Sequence, residues 1–431
     1  MSKIRILTVS NTSWSDENSF GLSYNSLFDG LEEYFEFANV YCNYGVPKNS
    51  CVSQYCQITE KTIIENIKNK KQKKCRIFNQ ADADENSSVL SPDESNTQNN
   101  IKKRRLQLSM WARDIVWKKG LRDMSEIVGF VKVFSPDIIF TPMYYMFHTN
   151  KILQTIIASV SVPVISYISD DIYRTTKFPC SPLYAIDRFF KRKTIKKSIL
   201  MCNMLYVACE EQALEYEKLF GKKCKVLRKP AENTVCFDDY SGDLNDRKIF
   251  LYAGNLGAGR ADVVARTGKC VSSNGGVLRV YSATPITQKT KKLFQKCGID
   301  YRGHVSYEVA EDECRKADVL LYVEGFGKKS VALTKYSVST KFSGYLCSGK
   351  LILAVGHQNI HTIKYLTDEK AAVVAAKESD ICCAVKACMN PNKMIIQNAQ
   401  SCAKRDFDKV HIQKMLIEDI YYLAGKWGDS L

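Results

Sequence analysis

Short apolar runs alternate along this chain with stretches of helical period. In the first half, Ile4–Val9, Ala38–Tyr41, Asp137–Thr141, Pro163–Ile168 and Leu205–Ala208 read as strands, and Leu108–Trp117 and Tyr184–Ile199 as helices. In the second half, Ile249–Ala253, Leu278–Tyr281, Ile299–Tyr301, Val319–Val323 and Leu351–Ala354 repeat the rhythm. Strands alternating with helices argue an α/β protein with parallel sheets. Two consecutive doubly wound units are expected, with the ligand between the carboxyl ends of their strands. The segment from 80 to 100 is polar and poor in aromatics, and is expected to be a mobile loop. A hinge is expected over Glu232 to Asp246, where Asn, Asp, Ser and Gly crowd together. After Lys404 a helical pattern of Phe407, Val410, Ile412, Met415, Leu416 and Ile420 runs towards the end. The expected organisation is an N-terminal domain over 1–240, a second over 247–404 and a terminal helix over 405–431.

Two loops carry the candidate chemistry. One follows the strand at 249–253 and reads Gly254-Asn255-Leu-Gly257-Ala-Gly259-Arg260. Glycines after a strand let backbone amides approach an anion closely, and an arginine can fork two phosphate oxygens. Taken alone, such a turn is equally an ordinary βα connection. In the second, Ser337, Ser339 and Thr340 stand where a helix is expected to begin, with Lys341 beside them. One serine would suffice as a helix cap, so three hydroxyls and a lysine together point to phosphate. Two such loops in one half of a chain imply a diphosphate held between them. Glu324 ends the run Val319–Val323, at a strand rim where a carboxylate can grip sugar or ribose hydroxyls or pair with a nearby lysine.

The order and spacing of Tyr252-Ala-Gly-Asn-Leu-Gly-Ala-Gly-Arg260, Asp318-Val-Leu-Leu-Tyr-Val-Glu324 and Ser339-Thr-Lys-Phe-Ser-Gly-Tyr-Leu-Cys-Ser-Gly-Lys350 resemble the donor half of GT-B glycosyltransferases. The retaining, group-4-like transferases of bacterial surface-polysaccharide assembly are the most similar group. The resemblance is strong over roughly 249–370 and weaker over 1–240. It implies two Rossmann-like domains facing across a cleft, a terminal helix returning to the N-terminal domain, and a nucleotide-diphosphate sugar bound at Arg260 and Lys341. It also implies that no metal or other cofactor is needed. Two positions depart from the pattern. Ala332 stands where many relatives carry a second glutamate, and Gly344 where an acidic residue often precedes Tyr-Leu. Both bear on how the ribose is held, and so on which nucleotide is used.

Composition narrows the class. With 431 residues, 45% hydrophobic and 25% charged, the chain suits two globular domains. No transmembrane run or signal-peptide core is visible, so a cytosolic location is expected. The 17 cysteines are odd in number and scattered through apolar runs, which reads as buried thiols in a reducing compartment. The net charge of +16 is clustered at Lys68–Arg76, Lys102–Arg105 and Arg188–Lys197. These clusters suit contact with an anionic inner-leaflet surface, although Arg188–Lys197 equally reads as a solvated helix face. Few aromatics besides Phe189 and Phe190 interleave them, so nucleic acid is not expected as a partner.

On the acceptor side, Asp170 and Asp171 follow the strand at 163–168; one would cap a helix and the other orient or deprotonate an acceptor hydroxyl. His148 follows the strand at 137–141 and is a candidate base, against the commoner structural role of a lone histidine. Asn11, Thr12, Ser13 and Gly21 form the loop after the first strand, without the usual glycine pair. Asp82-Ala-Asp84 matches a metal-binding pattern of another transferase fold but reads as chance, with no strand expected before it. The expected function is transfer of a sugar from a nucleotide-diphosphate sugar to a hydroxyl of a glycan or lipid-diphosphate-linked acceptor. The rivals are a nucleotide-sugar epimerase of the same fold, and a basic protein that binds nucleic acid or a partner.

Overall fold

The computed structural model describes residues 3–16, 18–69, 75–85, 107–174, 181–231, 247–390 and 392–426. The expected hinge at 232–246, most of the polar loop (86–100), the cluster at 102–105 and residues 70–74 of the first basic cluster lie outside the described residues. Two compact units divide the chain: Met1–Leu227 with Val410–Leu431, and Arg228–Lys409.

The N-terminal unit is built on eight strands: β1 (Ile4–Ser10), β2 (Phe35–Tyr41), β3 (Val52–Gln57), β4 (Arg76–Asn79), β5 (Ile138–Pro142), β6 (Val164–Ile168), β7 (Met204–Val207) and β8 (Cys224–Val226). Their order is β4-β3-β2-β1-β5-β6-β7-β8, parallel except for the antiparallel pair β3–β4 at one edge. The order reverses between β1 and β5, which creates a switch point where the loops after those strands diverge. Both faces of the sheet are covered. Trp117, Phe130, Phe134 and Ile195 belong to the apolar layer on one face. Trp14, Phe28, Phe37 and Phe140 belong to the other layer, together with Ile412, Leu416, Ile420 and Tyr421 of the helix Lys409–Leu423. The C-terminal helix is thus part of the N-terminal unit's core, while Arg405 and Phe407 lie before it in the other unit.

The second unit holds β9 (Ile249–Ala253), β10 (Val277–Tyr281), β11 (Ile299–Gly303), β12 (Val319–Val323), β13 (Leu351–Val355) and β14 (Val373–Ala375). They run all parallel in the order β11-β10-β9-β12-β13-β14. Every residue of β9, β12 and β13 is buried, as expected of central strands with helices on both faces. Here the switch point falls between β9 and β12, so the loops after these strands flank one position.

Three expectations need correction. The polar loop begins with a short helix, Gln80–Glu85, directly after β4; Asp82 accepts the Asn79 amide at 3.2 Å, so the Asp82-Ala-Asp84 pattern does follow a strand. Cys270 and Cys382 form a disulfide, joining the helices Arg260–Ser273 and Ile381–Cys388, where only free thiols were expected. The run Arg188–Lys197, on the helix Pro182–Leu200, is not uniformly solvated. Arg188 and Lys191 are buried, Lys191 bridging Asp187 (3.1 Å) and Asp114 (3.6 Å), while Arg188 and Arg192 both donate to the Tyr173 carbonyl. Among the described residues no helix is long and apolar enough to cross a membrane.

Candidate functional site: two cations at the second switch point

The loop after β9 folds on itself before the helix Arg260–Ser273. Asn255 accepts the Gly257 amide through Oδ1 at 2.6 Å, the Leu256 amide donates to Thr284 Oγ1 at 3.1 Å, and Tyr252 Oη donates to the Asn255 carbonyl at 2.6 Å. Gly254 donates to Tyr281 at 3.0 Å. The Gly254 and Gly257 amides and the Asn255 Oδ1 and carbonyl are thus engaged in shaping the turn. The next two residues differ. Ala258 and Gly259 have positive φ (53° and 78°), and among the described residues their amides have no hydrogen-bond partner. They precede a fourteen-residue helix, so free N–H groups and the positive end of a helix dipole coincide.

Arg260 opens that helix and turns towards the end of β12. Its Nε donates to the Val323 carbonyl at 3.1 Å, and its Nη2 to both carboxylate oxygens of Glu324, at 3.0 and 2.8 Å. Burial pushes the Glu324 carboxyl up, and the two bonds from Arg260 pull it back. Burial also works against the guanidinium, but Glu324 more than offsets this and holds it above its ordinary value. The guanidinium is always charged, and both carboxyl oxygens of Glu324 accept from it. Glu324 is thus an anchor for Arg260, and among the described residues Nη1 of Arg260 has no hydrogen-bond partner.

Lys341 stands close enough to Arg260 to feel its charge. Burial pushes the ammonium down to about 8, and Arg260 adds to the push. Among the described residues the ammonium has neither a carboxylate partner nor a hydrogen bond; only the Cys314 thiol draws its pKa the other way. A half-buried, desolvated cation without a carboxylate partner beside a second cation is an arrangement that an anion relieves. The surrounding loop departs from the expected one. The helix starts at Phe342 and is only six residues long, so Ser337, Ser339 and Thr340 lie in the preceding loop. Ser339 Oγ accepts the Lys341 amide at 3.4 Å, the Ser337 amide bonds the Thr334 carbonyl at 3.1 Å, and Thr340 is exposed. The ammonium carries the anion argument here, rather than the helix terminus.

Two residues escaped the sequence reading. A Cβ at Gly325 would meet the Ala258 carbonyl at 2.6 Å, and one at Gly259 would meet Ser330 Oγ at 2.8 Å. Gly325 and Ser330 therefore set how closely the loop after β12 packs under the loop after β9. The signal available was the Glu324-Gly-Phe-Gly327 run at a strand rim.

In the N-terminal unit, Asp170 is exposed in the segment after β6. Asp171 accepts the Arg174 amide at 2.9 Å and the Tyr216 hydroxyl at 3.0 Å, so it shapes a turn rather than capping a helix. His148 is fully buried, stacked on Trp117 at 4.2 Å, and its Nε2 lies 3.1 Å from Asn11 Oδ1. Burial, then Arg113 and Lys191, push it down to about 3. An imidazole so buried and so weakly basic is a packing group, which corrects its reading as a base.

No protein-family model and no curated protein matches the chain. Solved structures do. Anabaena HepE in complex with UDP superposes with a TM-score of 0.60 at 9% identity, covering 97% of this chain and 100% of that one. The E. coli trehalose-6-phosphate protein bound with UDP-2-fluoro glucose gives 0.60 at 10% identity, over 96% and 98%. A UDP-forming α,α-trehalose-phosphate synthase from Burkholderia xenovorans, in complex with glucose-6-phosphate, gives 0.58 at 9% identity, over 96% and 99%. At such identities the likeness is one of fold. The fold is the GT-B architecture of glycosyltransferases, two parallel-sheet Rossmann-like units in one chain.

Proposed function

We propose that the chain is a glycosyltransferase that uses a nucleotide-diphosphate sugar, with the donor diphosphate bound at Lys341, Arg260 and the amides of Ala258 and Gly259. The observation that carries this reading is the half-buried Lys341 ammonium, pressed by Arg260 and without a carboxylate partner among the described residues, at the switch point of a GT-B donor-side sheet. Its likeness to folds crystallised with UDP and UDP-glucose favours a uridine donor.

In the reaction, the bond from the sugar anomeric carbon to the diphosphate oxygen breaks and a bond to the acceptor oxygen forms. Negative charge grows on the leaving diphosphate, and cations aimed at it lower the barrier most. Lys341 and Arg260 Nη1 supply that charge without a resident metal in this proposal, and Glu324 acts by holding Arg260 in place. The acceptor hydroxyl is assigned to the N-terminal unit, where exposed Asp170 would orient it or take its proton. The finer reading is retention of configuration and an acceptor that is a growing surface glycan, free or on a lipid diphosphate. It follows the resemblance of the Tyr252–Arg260 and Ser339–Lys350 segments to the group-4-like transferases.

A panel of UDP-, GDP- and ADP-sugars tests this by release of the diphosphate, with and without a chelator, alongside thermal shifts with the bare diphosphates. Turnover of one donor class that survives chelation and is lost in Arg260→Ala supports the proposal. Folded protein that neither binds nor cleaves any of them refutes it.

A further inference from the structure

The helix Pro182–Leu200 is expected, from its six basic residues, to present a charged face, but its cations are divided. Arg188 and Lys191 are buried and Arg192 is half-buried, all turned inward onto Tyr173, Tyr145 and Asp187. What remains outside is apolar at one end. Leu183 is 41% exposed, Ile186 47%, Phe189 66% and Phe190 61%. Lys193, Lys196 and Lys197 follow, all exposed. Leu183, Ile186, Phe190, Lys193 and Lys197 recur at intervals of three and four, which places them on one stripe of the helix, with Phe189 and Lys196 at its flank.

A solvated helix places its aromatics inward and its cations outward. This one does the reverse over its first half, holding two large rings in water while burying charge. Apolar side chains beside lysines on one helix are the pattern of a helix that lies in a lipid–water interface, with rings below the headgroups and ammonium groups among them. We infer that this face of the N-terminal unit docks on an anionic lipid surface, with Leu183, Ile186, Phe189 and Phe190 entering the acyl boundary and the three lysines meeting acidic headgroups. The charge complementarity is general as well as local, since the chain carries +16. Single-stranded nucleic acid fits less well, because Leu183 and Ile186 offer no ring on which a base could stack. The inference does not depend on the transferase reading and can fail separately from it.

The test is flotation of the full chain with vesicles of phosphatidylcholine alone or mixed with phosphatidylglycerol. Wild type is expected to float with the mixed vesicles only, and less so as salt rises. Lys193→Gln/Lys196→Gln/Lys197→Gln should weaken binding about a hundredfold, since each lysine near an anionic surface contributes a factor of about five. Phe189→Ser/Phe190→Ser should weaken it at least about tenfold. Both rings are exposed, so thermal melts of the variants should match wild type. Phe190→Trp gives a second readout, a blue shift of emission over the wild-type background on mixed vesicles alone. Failure of wild type to float, equal flotation with neutral vesicles, or unaltered flotation of both variants would overturn the inference. So would a wild-type dimer that Phe189→Ser/Phe190→Ser converts to monomer, because the face would then belong to a second copy of the chain.

Discussion

A desolvated ammonium with no counter-ion lowers the stability of the unliganded protein, and Lys341, half-buried and without a carboxylate partner among the described residues, is such a group. Its folded pKa is about 8 against an ordinary 10.5, so between those values the folded chain holds fewer protons than the unfolded one. Stability at this site therefore rises with pH from about 8 to about 10.5, and below pH 8 the site is a net cost of about 2–3 kcal/mol. Lys341→Met should raise the unfolding free energy at pH 7 by up to that amount in denaturant titrations, while removing donor binding. In wild type the affinity for a diphosphate should fall about tenfold between pH 7 and pH 9, as the ammonium loses its proton. Glu324 behaves oppositely. Glu324→Ala strips a buried guanidinium of its anchor and should destabilise the protein by about 3 kcal/mol, with weaker donor binding as a consequence. His148 should show no titration between pH 4 and pH 9 in NMR spectra, because burial holds it neutral throughout.

At the scale of the element, the loop after β9 is shaped by two close approaches. Gly259→Ala would force a side chain onto φ +78° and against Ser330 Oγ, costing about 1–2 kcal/mol and tilting the amides that precede the helix. Gly325→Ala should cost more, because its neighbour at 2.6 Å is the Ala258 backbone carbonyl, which cannot swing aside as a hydroxyl can. Thermal melts of both variants measure the order. The buried strands were legible in the sequence, since β9, β12 and β13 are apolar throughout and, like β1, fall within a residue of the runs at Ile4, Ile249, Val319 and Leu351. The edge strands were not. β3 mixes Ser and Gln with Tyr, β4 has four residues with Arg and Asn at its ends, and β8 and β14 are three residues long. Pairing with a neighbour defines them, and composition carries no trace of it. The cations of the site could be read from sequence because Arg260 and Lys341 stand in glycine- and hydroxyl-rich loops. The Arg260–Glu324 bond could not, since it joins the start of the helix after β9 to the residue that follows β12, two strands that are neighbours only in space.

Over the whole molecule, chain order and spatial order part company at the C-terminus. Ile412, Leu416, Ile420 and Tyr421 complete the core around Trp14, Phe35 and Phe37, and Asp419 bonds both Tyr206 and Lys225. Deleting 410–431 should therefore raise hydrogen exchange in β1, β2 and β7, while β9, β12 and β13 stay protected. The Cys270–Cys382 disulfide closes a separation of 112 residues in the other unit. Cys382→Ser should lower the melting temperature of the oxidised protein and leave that of the reduced protein unchanged. Scattered cysteines gave no hint of this pairing, because two helices distant in sequence bring it about.

In the proposed reaction Lys341 is the cation that a donor diphosphate neutralises. Calorimetric titration of UDP, GDP and ADP into wild type and Lys341→Met at pH 7 measures this directly. Wild type is expected to bind at least one of them, and the variant, folded and more stable, to bind it at least about tenfold more weakly, the loss of one charge-assisted bond. Equal affinity in the two proteins, or no binding of any diphosphate to wild type, would contradict it.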